Sequence, residues 1–145
     1  GRTATQTICL TDLLATVAAI TKFKLPNNAG EDSFNFLPAL LGGKEPVREY
    51  TLHQTISLAL AIRHGDWKYL DHRGSGGNNY NRGGEWGMKQ FALPEKAPNA
   101  PGQLYNLKTD PGETTNLYFK EPKRAKALKT KLEEFKRTGR SSPHR

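Results

Sequence analysis

The sequence predicts an α+β fold, in which a small antiparallel sheet packs against a C-terminal helix. Three observations point to this fold. Residues 49–70 hold two strand-like stretches and a third that returns across a tight turn, a pattern typical of a hairpin. Residues 103–107 form another short strand pattern, and residues 121–137 repeat apolar side chains at helical spacing. Two helical segments precede the first strand, so the sheet begins after about a third of the chain.

The first helical segment is TDLLATVAAITKFKL, residues 11–25. Thr11 is a suitable N-cap residue, and Asp12 suits the first turn because a helix N-terminus attracts negative charge. Pro26 ends the segment because proline cannot continue a helix. The side chains expected to form its buried face are Leu13, Leu14, Val17, Ala18 and Leu25.

A second, shorter helix is predicted within EDSFNFLPALLGG, residues 31–43. Ser33 is its expected N-cap, and Gly42 and Gly43 are expected to end it because glycine tolerates the left-handed backbone found at helix C-termini.

The predicted hairpin follows the strand EYTLHQTI. LALAIR is its first strand, His64-Gly65-Asp66 its turn, and WKYL its returning strand. Because side chains alternate along a strand, Trp67 and Tyr69 should share one face and Lys68 the other. We expect Lys68 to lie along the sheet with its ammonium in water.

The second half of the chain begins with a glycine-rich loop, residues 73–103, in which aromatic residues could serve as anchors. In KTDPGETTNL, Asp110 is expected to accept backbone N–H bonds within a turn. The terminal helix should bury one stripe, and residues 141–145 are expected to form a disordered tail. That stripe consists of Ala125, Leu128, Leu132 and Phe135.

The net charge of +8 is unevenly placed. Residues 120–145 hold ten Lys/Arg and three Asp/Glu, whereas residues 1–119 hold twelve and eleven. A basic segment of this kind is either a solvated helix face or a surface that meets a polyanion.

Taken alone, the residues give no complete catalytic site. Cys9 lies among apolar residues and is expected to be a small buried side chain. The four histidines have no metal-binding spacing, and no nucleophile stands with a base and an orienting group.

Several stretches, in order, resemble the sulfatases, within the alkaline-phosphatase-like superfamily. TDLLATVAAI resembles their late helix, and EDSFNFLPALLGG resembles the segment that follows it. AIRHGDWKYL and QLYNLKTDPGETTNL resemble the paired patterns AIR-x-GDWK and ELYDL-x-x-DP-x-E-x-x-NL of the C-terminal subdomain. Departures are small: Ala15 stands where proline is common, and Gln103 and Asn106 replace Glu and Asp.

The resemblance implies an architecture. Residues 1–45 would be the C-terminal end of the large α/β catalytic domain, with its last helices. Residues 46–140 would be the small C-terminal subdomain, a sheet of about four strands packed by the terminal helix. The chain would complete the fold of a sulfatase acting on aryl or carbohydrate sulfates and border its substrate cleft.

The resemblance also implies chemistry that lies elsewhere in such an enzyme. Sulfatases use a formylglycine made from C/S-x-P-x-R and a calcium ion, and this chain lacks that motif. We therefore expect no catalytic residue, metal ligand or activity in this chain alone. Candidate substrate-binding residues are His53, His72, Arg73 and Trp86.

The implied partners are a sulfated small molecule or polysaccharide and the rest of the sulfatase domain, with no nucleic acid and no membrane. Related enzymes are generally exported, which implies a periplasmic or extracellular location. Two alternatives stay open at this point: a non-catalytic polyanion-binding module, and the equivalent segment of a phosphonate or phosphodiester hydrolase.

Overall fold

The structure is a computed structural model that describes residues 1, 3–55, 58–73 and 96–144. These residues contain a 3-10 turn, three α-helices and four strands. In chain order they are the 3-10 turn Leu10–Asp12, α1 Leu13–Thr21, α2 Leu37–Leu40, β1 Tyr50–Gln54, β2 Leu60–His64, β3 Trp67–Leu70, β4 Gln103–Asn106 and α3 Pro122–Thr138. The strands form one sheet in the order β1-β2-β3-β4, which confirms the predicted α+β class and terminal helix.

The chain divides into two compact units. The N-terminal unit comprises Gly1–Thr51 and Glu133–Arg145, and the sheet unit comprises Leu52–Leu132. The predicted boundary between residues 45 and 46 stays a prediction. Within the described part of the chain, no helix has the length and apolar character needed to cross a membrane.

The β2–β3 hairpin forms as predicted. His64 pairs with Trp67, so only Gly65 and Asp66 make the turn. Gly65 has a φ of 56°, in the left-handed region that favours glycine and that tight hairpin turns require.

One face of the sheet carries the main core of the sheet unit. Ile62, Tyr69 and Leu104 lie side by side across β2, β3 and β4, and all three are buried. Trp67 shares this face, and the Arg124 guanidinium of α3 lies 4.2 Å from the centre of its ring. α3 therefore packs on this face, where Ala125, Leu128 and Leu132 are buried as predicted. Burying a large apolar side chain contributes about 1.5–3 kcal/mol, so this face contributes much of the stability of the unit.

Helix α1 is shorter than predicted. It ends at Thr21 because Lys22 adopts a left-handed φ of 59°. The N–H of Phe23 then donates to the carbonyl of Ala18 at 2.8 Å, and that of Lys22 to Ala19 at 3.3 Å. This is a Schellman motif, which ends a helix without proline.

The predicted face of α1 is only partly buried. Ala18 is buried as predicted, and Ala15 and Thr16 are buried as well, but Leu13, Leu14 and Val17 are about half exposed, at 51%, 50% and 52%. Small side chains let segment 33–36 approach the helix backbone closely. Its Ser33 hydroxyl accepts a hydrogen bond from the Ala15 N–H at 2.9 Å, so Ser33 does not cap α2 as predicted.

The C-terminal residues are held in place rather than forming the expected disordered tail. After Gly139 ends α3, the Ser141 N–H and hydroxyl both donate to Asp32 Oδ1, at 2.9 and 2.7 Å. The Ser142 N–H donates to the Glu31 carbonyl at 2.9 Å. These contacts strap residues 141–142 to the loop before α2, and all of them lie within the N-terminal unit.

Candidate functional site

The two most specific sequence motifs meet in the sheet unit. Lys68, from GDWK, lies 2.7 Å from the Glu113 carboxylate of DPGE. Both side chains are mostly buried, so the prediction that the Lys68 ammonium lies in water is wrong. The ion pair ties the hairpin to the turn that follows β4, which gives a structural reason for the presence of both motifs.

The DPGE turn is organised by Asp110. Its carboxylate accepts the backbone N–H groups of Thr114 and Thr115 and the hydroxyl of Thr114, each at 2.9 Å, which confirms the predicted role of Asp110. Burial alone would raise the pKa of Asp110, but these hydrogen bonds hold it below its ordinary value. Within the turn, Glu113 takes a left-handed φ of 54°.

Asn116 connects the segment that follows this turn with strand β4 through side-chain hydrogen bonds. Its side-chain oxygen accepts the N–H groups of Leu104 and Tyr118, at 3.1 and 3.0 Å. Its side-chain NH₂ donates to the Gly102 carbonyl at 3.3 Å. The Asn-Leu pair of the motif therefore satisfies polar groups along β4, which is a structural role and not a catalytic one.

His72 has the most unusual environment among the predicted substrate-binding residues. Its Nδ1 lies 2.8 Å from the Arg73 carbonyl oxygen, and because a carbonyl only accepts, Nδ1 carries the proton. Nε2 is therefore the acceptor nitrogen. Nε2 is buried, and among the described residues it has no hydrogen-bond partner.

The other predicted site residues lie apart from His72 or outside the described chain. Arg73 is adjacent to it and exposed. His53 is exposed on β1, and β2 separates β1 from β3, the strand that His72 follows. Trp86 lies outside the described residues, as do residues 74–95 of the glycine-rich loop.

A charged contact beside His72 was not predicted from the sequence. Asp71 accepts a hydrogen bond from the Tyr69 hydroxyl at 3.0 Å and lies 3.6 Å from the Lys129 ammonium of α3. The alternation of β3 places Tyr69 on the helix-covered face, but the Lys129 contact depends on the packing of α3.

The N-terminal unit contains a buried ion pair that sequence reasoning also missed. Asp12 is fully buried, and Arg48 lies 3.4 Å from its carboxylate. The Arg48 guanidinium also lies 4.5 Å from the centre of the Phe34 ring. Residues 12 and 48 are far apart in sequence, so no local pattern pairs them.

Cys9 is half-buried, not fully buried as predicted. Burial raises the pKa of its thiol, but hydrogen bonds with Thr11 and the charge of Arg48 outweigh that effect and lower it. Among the described residues, no group of three or more His, Cys, Asp or Glu side chains could hold a metal ion.

Comparisons with known proteins point to the same family as the sequence motifs. No family model matches the chain. An N-acetylgalactosamine-6-O-sulfatase of Bacteroides thetaiotaomicron is 34% identical over 125 residues, which are 86% of this chain. A solved Bacteroides thetaiotaomicron sulfatase, from work on the metabolism of multiple glycosaminoglycans, superposes with a TM-score of 0.65 at 33% identity over 86% of this chain.

The chain matches the C-terminal segment of sulfatases. The chain spans 22% of the length of the curated relative and 24% of the solved chain. Crystal structures of Ps i-CgsB, one of them in complex with k-i-k-neocarrahexaose, superpose with a TM-score of 0.55 at 22% identity, over 86% of this chain and 23% of theirs. Those two share the fold.

Proposed function

We propose that the chain is the C-terminal portion of an enzyme that hydrolyses sulfate esters of carbohydrates. The 34% identity to an N-acetylgalactosamine-6-O-sulfatase over 125 residues carries this proposal. The Lys68–Glu113 contact supports it, because it joins two motifs that resemble those of sulfatases.

The first role of the segment in this proposal is to complete the fold. Leu10, Leu13, Leu14 and Val17 follow the i, i+3, i+4, i+7 spacing of one helical face, and each is at least half exposed. Proteins rarely leave a contiguous apolar surface in water. The large α/β domain of the sulfatase is the proposed partner that covers it.

The second role is to border the substrate cleft. His72 supports this role, because its Nδ1 is held by the Arg73 carbonyl and its buried Nε2 has no partner among the described residues, so in the neutral ring Nε2 is left to accept a hydrogen bond from a sugar hydroxyl that reaches it. His53, Arg73 and Trp86 remain proposed substrate contacts. Replacing His53 or Trp86 with Ala in the full-length enzyme should change kcat/KM among sulfated sugars, whereas equal values for every sugar would indicate a structural role.

The chain lacks the motif that yields formylglycine, and the resemblance implies calcium and formylglycine for another part of such an enzyme. The proposal therefore gives this segment no step of sulfate hydrolysis. In the proposal, both groups belong to the remainder of the enzyme, and the segment contributes binding and shape.

The deciding experiment compares the full-length enzyme with the purified 145-residue chain on carbohydrate 6-sulfates and p-nitrophenyl sulfate. We expect hydrolysis by the enzyme and none by the chain. Hydrolysis of phosphonates or phosphodiesters in place of sulfates would identify another hydrolase of the same superfamily. Activity of the chain alone would contradict the proposed division of roles.

A further inference from the structure

Three lysines form an unpaired basic strip at the start of α3. Lys120, Lys123 and Lys126 are exposed, and none makes a side-chain hydrogen bond or ion pair with any residue that the structure describes. Successive members are three residues apart, which corresponds within a helix to a rise of about 4.5 Å. Glu121 is the single acidic residue between positions 114 and 132, so the strip keeps a net positive charge.

Neighbouring cations on α3 already have partners. Arg124 stacks on Trp67, and Lys129 lies beside Asp71. These two contribute to the packing of α3 on the sheet, whereas the three lysines of the basic strip make no side-chain hydrogen bond or ion pair with a described residue. A concentration of exposed like charges destabilises the folded protein slightly, so the strip is suited to an external anion.

An exposed aromatic ring adjoins the basic strip. Phe119 is 60% exposed, and its ring meets that of Tyr118 edge to face with centroids 5.4 Å apart. Phe119 directly precedes Lys120 in the sequence. An exposed aromatic ring and exposed ammonium groups within one short segment match a sulfated sugar, which has apolar C–H faces and anionic substituents.

We propose that the basic strip, together with Phe119, docks a sulfated polysaccharide chain outside the substrate cleft. The inference rests on the proposed function, and charge complementarity identifies the occupant. A polymer held at the strip raises the effective concentration of its own sulfate esters at the cleft. The strip therefore favours long substrates and has no effect on a sulfated monosaccharide.

The test uses the full-length enzyme with the triple substitution Lys120→Gln, Lys123→Gln and Lys126→Gln. A matched control removes three scattered exposed lysines, through Lys24→Gln, Lys44→Gln and Lys108→Gln. Both variants lose the same charge. The measurements are kcat/KM for a sulfated monosaccharide and for a long chondroitin sulfate chain, at low and at physiological salt.

The strip variant should lose roughly tenfold in kcat/KM on the polymer, because it lacks three surface charge contacts that are each weak. Its activity on the monosaccharide should not change, the control should retain both activities, and the polymer preference of the unmodified enzyme should fall with salt. Equal losses in the two variants would overturn the proposal, because net charge would then explain the effect.

Failure of the proposed function is distinguishable from failure of this inference. An enzyme that hydrolyses neither the monosaccharide sulfate nor the polymer would contradict the sulfatase proposal. Hydrolysis of both without any change in the strip variant would contradict only the docking surface.

Discussion

The carboxylate of Asp12 is the best-connected side chain of the N-terminal unit. It accepts the N–H groups of Cys9 and Phe34, at 2.8 and 2.9 Å, and lies beside the guanidinium of Arg48. Removing one partner of a buried ion pair leaves an uncompensated charge, which costs more than the pair itself contributes. Asp12 therefore links three segments of the N-terminal unit, at Cys9, Phe34 and Arg48.

Replacing Asp12 with Ala should destabilise the full-length enzyme by about 3–5 kcal/mol, because Arg48 would remain buried without its counter-charge. Denaturant unfolding measures the loss. Asp66→Asn, in the exposed hairpin turn, is the control and should change stability by less than about 0.5 kcal/mol. Equal effects of the two substitutions would mean that burial of the Asp12–Arg48 pair has no energetic consequence.

Asp110 makes the stability of the sheet unit depend on pH. Its folded pKa lies below its ordinary value, so its contribution is present above that ordinary value and is lost as pH falls through the folded pKa. Asp110→Ala should lower stability by about 1 kcal/mol near pH 7, as loss of a capping side chain does. The difference between variant and unmodified enzyme should shrink as pH falls through the folded pKa of Asp110, measured by unfolding across pH. A difference that stays constant with pH would show that the charge of Asp110 is irrelevant.

At the scale of elements, local chemistry separates the correct predictions from the wrong ones. The hairpin was predictable because Gly65 and Asp66 specify a two-residue turn between strands that alternate. The apolar stripe of α3 was predictable from its spacing. Helix α1 was not, because the Ser33 hydroxyl that meets its backbone comes from a segment 18 residues away.

The candidate site was less predictable than the fold. The sequence singled out His72, but its acceptor nitrogen depends on the carbonyl of Arg73 and its burial on surrounding elements. The pairing of Lys68 with Glu113 spans 45 positions, so it emerged only once the sheet was assembled. Contacts of this kind are set by tertiary structure and leave no periodic signal.

The exposed apolar face of α1 gives a prediction at the element scale. In the full-length enzyme, Leu14→Ala should cost about 2–5 kcal/mol if the large domain buries this side chain. Thermal or denaturant unfolding of that enzyme measures it. Leu58→Ala is a matched control, because Leu58 is exposed on the sheet unit at 73% and should be nearly neutral. A neutral Leu14→Ala would show that the face of α1 stays in water.

At the scale of the whole molecule, the C-terminal region combines a high positive charge with hydrogen bonds that hold Ser141 and Ser142. Residues 120–145 carry a net charge of +7, yet much of this region is structured through α3 and the contacts of Ser141 and Ser142. Much of this positive charge therefore lies on a structured helix, and the exposed strip on α3 is one surface that a polyanion could meet.

Deleting residues 140–145 from the full-length enzyme should lower its melting temperature by several degrees. The deletion removes the hydrogen bonds to Asp32 and Glu31 and leaves the Asp32 carboxylate without those donors. Deleting only residues 144–145 is the control and retains Ser141 and Ser142. An unchanged melting temperature after the longer deletion would show that the strap is energetically unimportant.

The contacts of Ser141 and Ser142 also determine when the N-terminal unit can finish folding during synthesis. Ser141 meets Asp32 across 109 positions, so the N-terminal unit cannot be completed until residues 141 and 142 have left the ribosome. Translation at about 5–20 residues per second makes that a wait of several seconds after Asp32 has been made. The residues of the sheet unit, Leu52–Leu132, have all been synthesised by then. During this interval the apolar side chains of α1 are exposed and the contacts of Ser141 and Ser142 have not yet formed. We expect the nascent chain to be most prone to chaperone binding at that stage.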